Sequence, residues 1–183
     1  MSETHPLAMD LKTRYRTETP ALAQRLGFAN PMAVPRIQKI IVHCGVGRLR
    51  DERQQDIVRR ALALITGQKP SARSAKQAIA SFKTRRGLVV GYQVTLRGQR
   101  MWDFLNRLVA IAIPRQRDFR GIPVSSFDGR GNLTMGFPEH IVFPELIGEE
   151  VPLLFGLEVT IVTTARRRAE ALELFRALGL PLA

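Results

Sequence analysis

Leu88-Val89-Val90-Gly91-Tyr92-Gln93-Val94-Thr95-Leu96-Arg97 is the stretch that decides the fold. Leu88, Val90, Tyr92, Val94 and Leu96 occupy alternate positions, with Gln93, Thr95 and Arg97 between them. Side chains of a strand alternate between its two faces, so the spacing predicts a strand with one apolar and one polar face. Two other segments repeat the pattern. In Ile37–Gly45, Ile40, Val42 and Cys44 oppose Lys39, Ile41 and His43. In 156–164, Leu157, Val159, Ile161 and Thr163 oppose Glu158, Thr160, Val162 and Thr164. Alternation of this kind belongs to antiparallel sheets that bury one face and leave the other to solvent.

The segments around these strands read mostly as helices. Residues 7–26 are helical in pattern, with a break expected at Pro20 and a stop at Gly27. Residues 30–35 form a linker. Residues 51–65 carry Ile57, Val58, Ala61, Leu62 and Ile65 at helical spacing, with Asp51 as N-cap and Gly67 and Pro70 beyond the end. Residues 71–86 read as a strand running into a long exposed loop. Residues 99–113 are a strongly apolar helix stopped by Pro114, and 115–132 a loop rich in Gly and Arg. Leu133–Phe137 and 140–143 read as short strands in a hairpin around Pro138. Residues 165–178 form a last helix ended by Gly179 and Pro181. The order predicts an α+β fold, a mainly antiparallel sheet with helices packed on one face and the other face free. The expected organisation is one domain over residues 1–183, with a helical segment at 1–30 and a protruding basic loop at 71–87.

Charge narrows the function. The 183 residues hold 28 Lys and Arg against 16 Asp and Glu, a formal net charge of +12. A cationic surface of that size attracts polyanions, so the candidate partners are nucleic acid and an anionic membrane. No stretch approaches the ~18 apolar residues of a spanning helix. Residues 1–10 lack a basic flank leading into an apolar run, so no signal peptide is expected. The single cysteine, Cys44, excludes an internal disulfide. A cytoplasmic location is the resulting expectation.

The charge is also polarised. Between Asp56 and Asp103 there is no acidic residue, while Arg59, Arg60, Lys69, Arg73, Lys76, Lys83, Arg85, Arg86, Arg97 and Arg100 all lie there. A second basic knot follows at Arg115, Arg117, Arg120 and Arg130. A basic stretch of this length points to nucleic acid. The polar face of the predicted sheet carries Lys39, His43, Gln93, Thr95, Arg97 and Thr160, groups that bond to phosphate, ribose and base edges. Alternation alone does not separate a binding face from an ordinary solvated one.

Signals for chemistry fail one by one. His5, His43 and His140 have no metal-ligand companion at short spacing, and one Cys cannot build a thiolate zinc site. Gly45-Val46-Gly47 follows a strand, but the third glycine of a dinucleotide fingerprint is replaced by Arg50. No serine sits in a nucleophile elbow. Asp118 and Asp128 stand among arginines, which suits ion pairing or loop shaping, and Trp102 falls on an apolar helix face. Neither an enzyme nor a cofactor is expected; the rival readings are an RNA-modifying enzyme and a chaperone for a structured RNA.

The motifs 64–70 (Leu-Ile-Thr-Gly-Gln-Lys-Pro), 94–98 (Val-Thr-Leu-Arg-Gly), 117–121 (Arg-Asp-Phe-Arg-Gly), 126–132 (Ser-Phe-Asp-Gly-Arg-Gly-Asn) and 161–165 (Ile-Val-Thr-Thr-Ala) closely resemble the bacterial ribosomal protein L five family, in its order and spacing. The resemblance runs from about residue 35 to the C-terminus. It implies an α+β fold without catalytic role or cofactor. It further implies binding of 5S rRNA in the central protuberance of the large subunit, beside large-subunit rRNA and other central-protuberance proteins. A contact to P-site tRNA and a bridge to protein S thirteen of the small-subunit head also come with it. Carried over by position, the 5S-facing residues are His43, Gln68, Phe82 and Thr95, and the tRNA-facing loop is 73–86, with Arg73, Lys76, Lys83, Arg85 and Arg86. Phe82 would stack on a base or ribose, or alternatively anchor its loop. Two departures stand out. The family usually has Asn where this chain has His43, and it tends to be acidic where this chain has Arg166, Arg167 and Arg168. Residues 148–155 match poorly, and nothing is carried onto them.

Overall fold

A computed structural model describes residues 10–49, 51–80, 83–146, 148–149 and 151–183. Phe82 and the expected first turn of the N-terminal helix at 7–9 lie outside the described residues. The strands are β1 (Ile37–Gly45), β2 (Ser71–Ser74), β3 (Val89–Leu96), β4 (Leu133–Phe137) and β5 (Leu157–Thr163). They form one sheet in the order β2-β3-β1-β5-β4, with every pairing antiparallel. The helices are α1 (Leu11–Leu26), α2 (Glu52–Thr66), α3 (Gly98–Arg107) and α4 (Arg168–Leu178). The alternating residues fall as the sequence predicts. Ile40, Val42, Cys44, Tyr92, Val94, Leu96, Leu157, Val159 and Ile161 are buried, while Lys39, Ile41, His43, Gln93, Thr95, Thr160 and Val162 are only half-buried. Each fully buried aliphatic side chain contributes roughly 1.5–3 kcal/mol from removal of apolar area from water.

The buried face meets the helices. Phe104 of α3 stacks on Phe143, which also meets Phe137 edge-on, and Phe175 of α4 meets Phe127 edge-on. The Asp51 side chain accepts from Arg53 N at 2.9 Å and starts α2; Gly67 at φ 64° ends it.

Three expectations need correction. Pro20 does not interrupt α1, which runs through it. The lost hydrogen bond is outweighed by anchoring along the helix: Leu11, Leu22 and Ala23 are buried, Leu11 N donates to Asn106 Oδ1, and Arg14 Nε donates to Ala177 O at 2.9 Å. The apolar helix ends as α at Arg107 and finishes in a π turn, Leu108–Ala112. Pro114 has no N–H to continue the ladder, and the last donor before it, Ile113 N, reaches back to Leu108 O at 2.9 Å. Residues 140–143 are not a strand and make no hairpin with β4, whose inner edge is taken by β5. His140–Val142 is a 3-10 turn. It is held where His140 N donates to Phe155 O at 3.1 Å and the imidazole stacks on Phe155 with centroids 4.4 Å apart. Burial pushes the His140 pKa down, against the opposing influence of the Phe155 backbone and the charge of Glu139.

Candidate nucleic-acid interface

The register places the polar residues of the sheet in rows. Ser71, Gln93, His43, Glu158 and Gly136 pair in sequence across all five strands. At ~4.8 Å between strands that row is about 19 Å wide. The next row holds Thr95, Ile41, Thr160 and Thr134, and beyond it Lys39 lies beside Val162. His43, Gln93, Thr95 and Lys39 therefore share one open face, as the alternation predicts. Arg97 is exposed just past the last β1–β3 pair, where it forms the N-cap position of α3.

Their hydrogen bonds are not random. Gln68, just past the end of α2, donates through Nε2 to the main-chain Thr95 O at 3.3 Å, which sets it beside β3 next to Thr95. The Gln93 carbonyl accepts from Ser71 Oγ, and its side-chain oxygen accepts from Arg73 Nε at 2.9 Å. Arg73, expected in the loop group, thus sits against the open face. Thr134 and Thr160 hydroxyls meet at 3.2 Å. The His43 ring lies over Gly91: a Cβ at Gly91 would stand 2.7 Å from His43 Nε2 and 3.1 Å from Cys44 O. Only a residue without a side chain leaves room for the imidazole in that pose. Underneath, Cys44 Sγ donates to Gly156 O at 3.1 Å, and burial pushes its thiol up to about 11.

The loop between β2 and β3 leaves from the sheet edge as an extended hairpin. Ala75 N donates to Leu88 O at 2.8 Å, Gly87 N to Ala75 O at 3.0 Å, and Ile79 pairs with Thr84. Lys76, Lys83, Arg85 and Arg86 are exposed along it. None of these four is in an ion pair among the described residues. The hairpin adjoins the open face, with Arg73 at its base bonded to Gln93.

Ser71, Thr134 and Gly91 also belong to the open face, where parity had already placed Ile41. Strand parity could have found Thr134; Ser71 and Gly91 needed the register. Asp128 shapes its loop, as its setting suggests: its carboxylate accepts from Arg130 N at 2.9 Å, Asn132 N at 2.8 Å and Asn132 Nδ2 at 2.7 Å. Burial works to raise its pKa, but the bonds from Asn132 and Arg130 outweigh it and hold the carboxyl below its ordinary value. Among the described residues, no cluster of three His, Cys, Asp or Glu could hold a metal ion, and no helix is long and apolar enough to cross a membrane.

An antiparallel sheet with helices on one side and a mostly polar face on the other, carrying Lys39 and bordered by Arg73 and Arg97, defines a class of α+β protein that presents its sheet as a platform. Comparison with known proteins gives the family within that class. Residues 30–85 match the family described as "Ribosomal protein L5", and residues 89–182 match the model of the same ribosomal family's C-terminus. A "Large ribosomal subunit protein uL5" from Rubrobacter xylanophilus is 53% identical over 173 residues, covering 93% of this chain and 96% of that one. Proteins with the same description from Streptococcus pyogenes serotypes M49 and M5 are 45% and 44% identical over 179 residues, each covering 97% of this chain and 99% of theirs. The chain belongs to the ribosomal protein L5 family, whose members are structural and not enzymes. The two matched segments share one sheet: β2 and β1 come from the first, and β3 lies between them from the second.

Proposed function

We propose that this chain, a structural protein of the large ribosomal subunit and hence of the bacterial cytoplasm, binds 5S rRNA through the open face of its sheet and helps attach it in the central protuberance. The observation that carries this reading is the convergence of His43, Gln93, Thr95 and Lys39 on one face, with Gln68 bonded beside it at the main-chain oxygen of Thr95. Lys and Arg neutralise phosphates and release counterions, while Thr95, Gln93, Gln68 and His43 offer directional donors and acceptors that fix register. Arg97 at the border of the face adds a phosphate contact. Phe82 keeps its proposed stacking role from the family resemblance.

The β2–β3 hairpin, with Lys76, Lys83, Arg85 and Arg86, is proposed as the surface for P-site tRNA; Arg73, at its base, serves the open face as well. A bridge to protein S thirteen of the small-subunit head, and contacts with large-subunit rRNA and neighbouring central-protuberance proteins, complete the reading. Because strands of the two family segments interleave in the sheet, the whole chain is proposed to act as one domain. The test is filter binding of the full chain to a folded 5S rRNA transcript and to an unrelated structured RNA of equal length. Preference for 5S rRNA, reduced by Thr95→Ala without loss of fold, is expected. Equal affinity for both RNAs would overturn the proposal.

A further inference from the structure

One group of cations belongs to neither of these surfaces. It gathers at the end of the sheet where β1 begins, β4 begins and β5 ends. Arg36 N donates to Thr164 Oγ1 at 3.0 Å, and Thr164 N donates to Arg36 O at 2.9 Å, so Arg36 lies beside the exit of β5. Thr163 Oγ1 donates to Gly131 O at 3.0 Å, and Thr163 N to Asn132 Oδ1 at 3.2 Å, which brings the 128–132 loop to the same place. Gly131 packs directly on the start of α4: a Cβ there would lie 3.2 Å from Arg167 O and 2.7 Å from Ala171 Cβ. Three separate chain segments thus converge, bringing Arg36, Arg130, Arg166, Arg167 and Arg168 together, all exposed. None of the five is in an ion pair among the described residues. The two nearby acids are already engaged, Asp128 by its own loop and Glu170 by Arg166 N at 2.9 Å.

Two of these arginines stand where a helix does not favour them, with Glu170 the acid in the same first turn. Arg167 is the N-cap of α4 and makes no side-chain cap bond, and Arg168 follows it into the first turn. Cations at a helix N-terminus oppose the helix dipole, and Ser, Thr, Asp or Asn would cap better. Five exposed guanidiniums outside any ion pair among the described residues, two of them at this helix start, fit an anionic partner. Arginine forks match phosphate geometry in pairs of parallel hydrogen bonds. Lys39 of the open face lies one residue pair in from this end, opposite Val162. RNA crossing the sheet along the strands would therefore run off onto these arginines.

We propose that Arg36, Arg130 and Arg166–Arg168 form a third RNA-contacting surface, a phosphate clamp at the β1-start end of the sheet, which grips backbone without reading sequence. It rests on the chain being an RNA-binding protein, not on which RNA fills the open face. The test compares the full chain with Arg166→Gln/Arg167→Ser/Arg168→Gln, in which the serine gives α4 a better cap, and with Arg36→Gln/Arg130→Gln. Arg25→Gln/Arg176→Gln, which removes two charges already paired with Glu173, serves as the control. Affinities for a 5S rRNA transcript and a large-subunit rRNA transcript are measured from about 0.05 to 0.2 M salt. Removing one phosphate contact lowers the slope of log K against log salt by about 1. The triple variant is expected to lose two or more from that slope, and roughly tenfold in affinity at low salt, on at least one transcript. The double variant is expected to lose one or more, and the control almost none. Slopes equal to wild type on both transcripts would overturn the clamp while leaving open-face recognition standing. Reduced slopes in the clamp variants, with no 5S preference in the wild type, would keep the clamp and overturn that recognition. A wild type that binds neither transcript would overturn both.

Discussion

Replacing Gly91 by Ala puts a methyl group where the His43 ring now lies. The new Cβ would stand 2.7 Å from Nε2 and 3.1 Å from the Cys44 carbonyl. The imidazole is the far end of a side chain and can swing away, whereas the carbonyl is backbone in the β1–β3 ladder and gives by only a few tenths of an ångström. Two effects of different size follow. Overpacking the ladder costs about 1 kcal/mol of stability, at the low end for a small-to-large change, because a single methyl meets a half-exposed face. Displacing the ring removes one hydrogen bond to RNA, worth about 1–1.5 kcal/mol, or five- to tenfold in Kd. A double-mutant cycle isolates the second effect. In 5S rRNA binding, Gly91→Ala is expected to weaken the wild type five- to tenfold and to weaken His43→Ala less than twofold, since no ring remains to displace. Thermal melts followed by circular dichroism should show the same small stability loss in both backgrounds. Equal weakening with and without the ring would show that Gly91 acts through the backbone, and His43 would leave the proposed site.

Other expectations are simpler to check. Arg85→Glu/Arg86→Glu should leave 5S rRNA affinity within twofold and reduce tRNA retention on reconstituted ribosomes; loss of 5S binding would mean the two surfaces are assigned the wrong way round. Asp128→Ala should destabilise the fold by about 1–2 kcal/mol in urea denaturation, the full worth of charge-assisted bonds being discounted because the site is exposed. The Asp128 carboxyl sits below its ordinary value in the folded chain, so its contribution is present above about pH 4 and fades as pH falls through the lowered value. Wild type should therefore lose its advantage over Asp128→Ala at low pH, and a constant difference down to pH 2 would contradict this. With the Cys44 thiol pushed up to about 11, roughly one molecule in a thousand carries the thiolate at pH 8. A thiol-reactive dye should accordingly label the native chain far more slowly than the unfolded one.

Most of the fold was legible because its strands bury one face only. The period-two pattern in β1, β3 and β5 places Ile40, Val42, Val94, Leu96, Val159 and Ile161 inside and Lys39, His43 and Thr95 outside, without any knowledge of pairing. What failed did so where local signals lose to tertiary contacts. Pro20 is a helix breaker by its own chemistry, yet α1 is held on both sides of it by packing and by Arg14 on α4. Residues 140–143 are apolar enough for a strand, but the bond from His140 N to Phe155 O and the stacking of its ring on Phe155 hold them in a 3-10 turn. The site was legible as a set of residues and not as a geometry. Gln68 joins Thr95 through a bond between residues 27 apart, and Gly91 seats His43 through a register no single strand reveals. Likewise Arg130 and Arg166–Arg168 read as separate basic runs until Thr163 and Gly131 bring them together.

The open sheet face as the seat of 5S rRNA is tested most directly by hydroxyl-radical cleavage of 5S rRNA from probes tethered at single cysteines. These are introduced in a Cys44→Ala background at Thr160, on the open face, and at Arg53, on the exposed side of α2. Strong, localised cleavage is predicted from position 160 and little from position 53. Cleavage confined to position 53, or equally diffuse from both, would contradict the assignment of the open face.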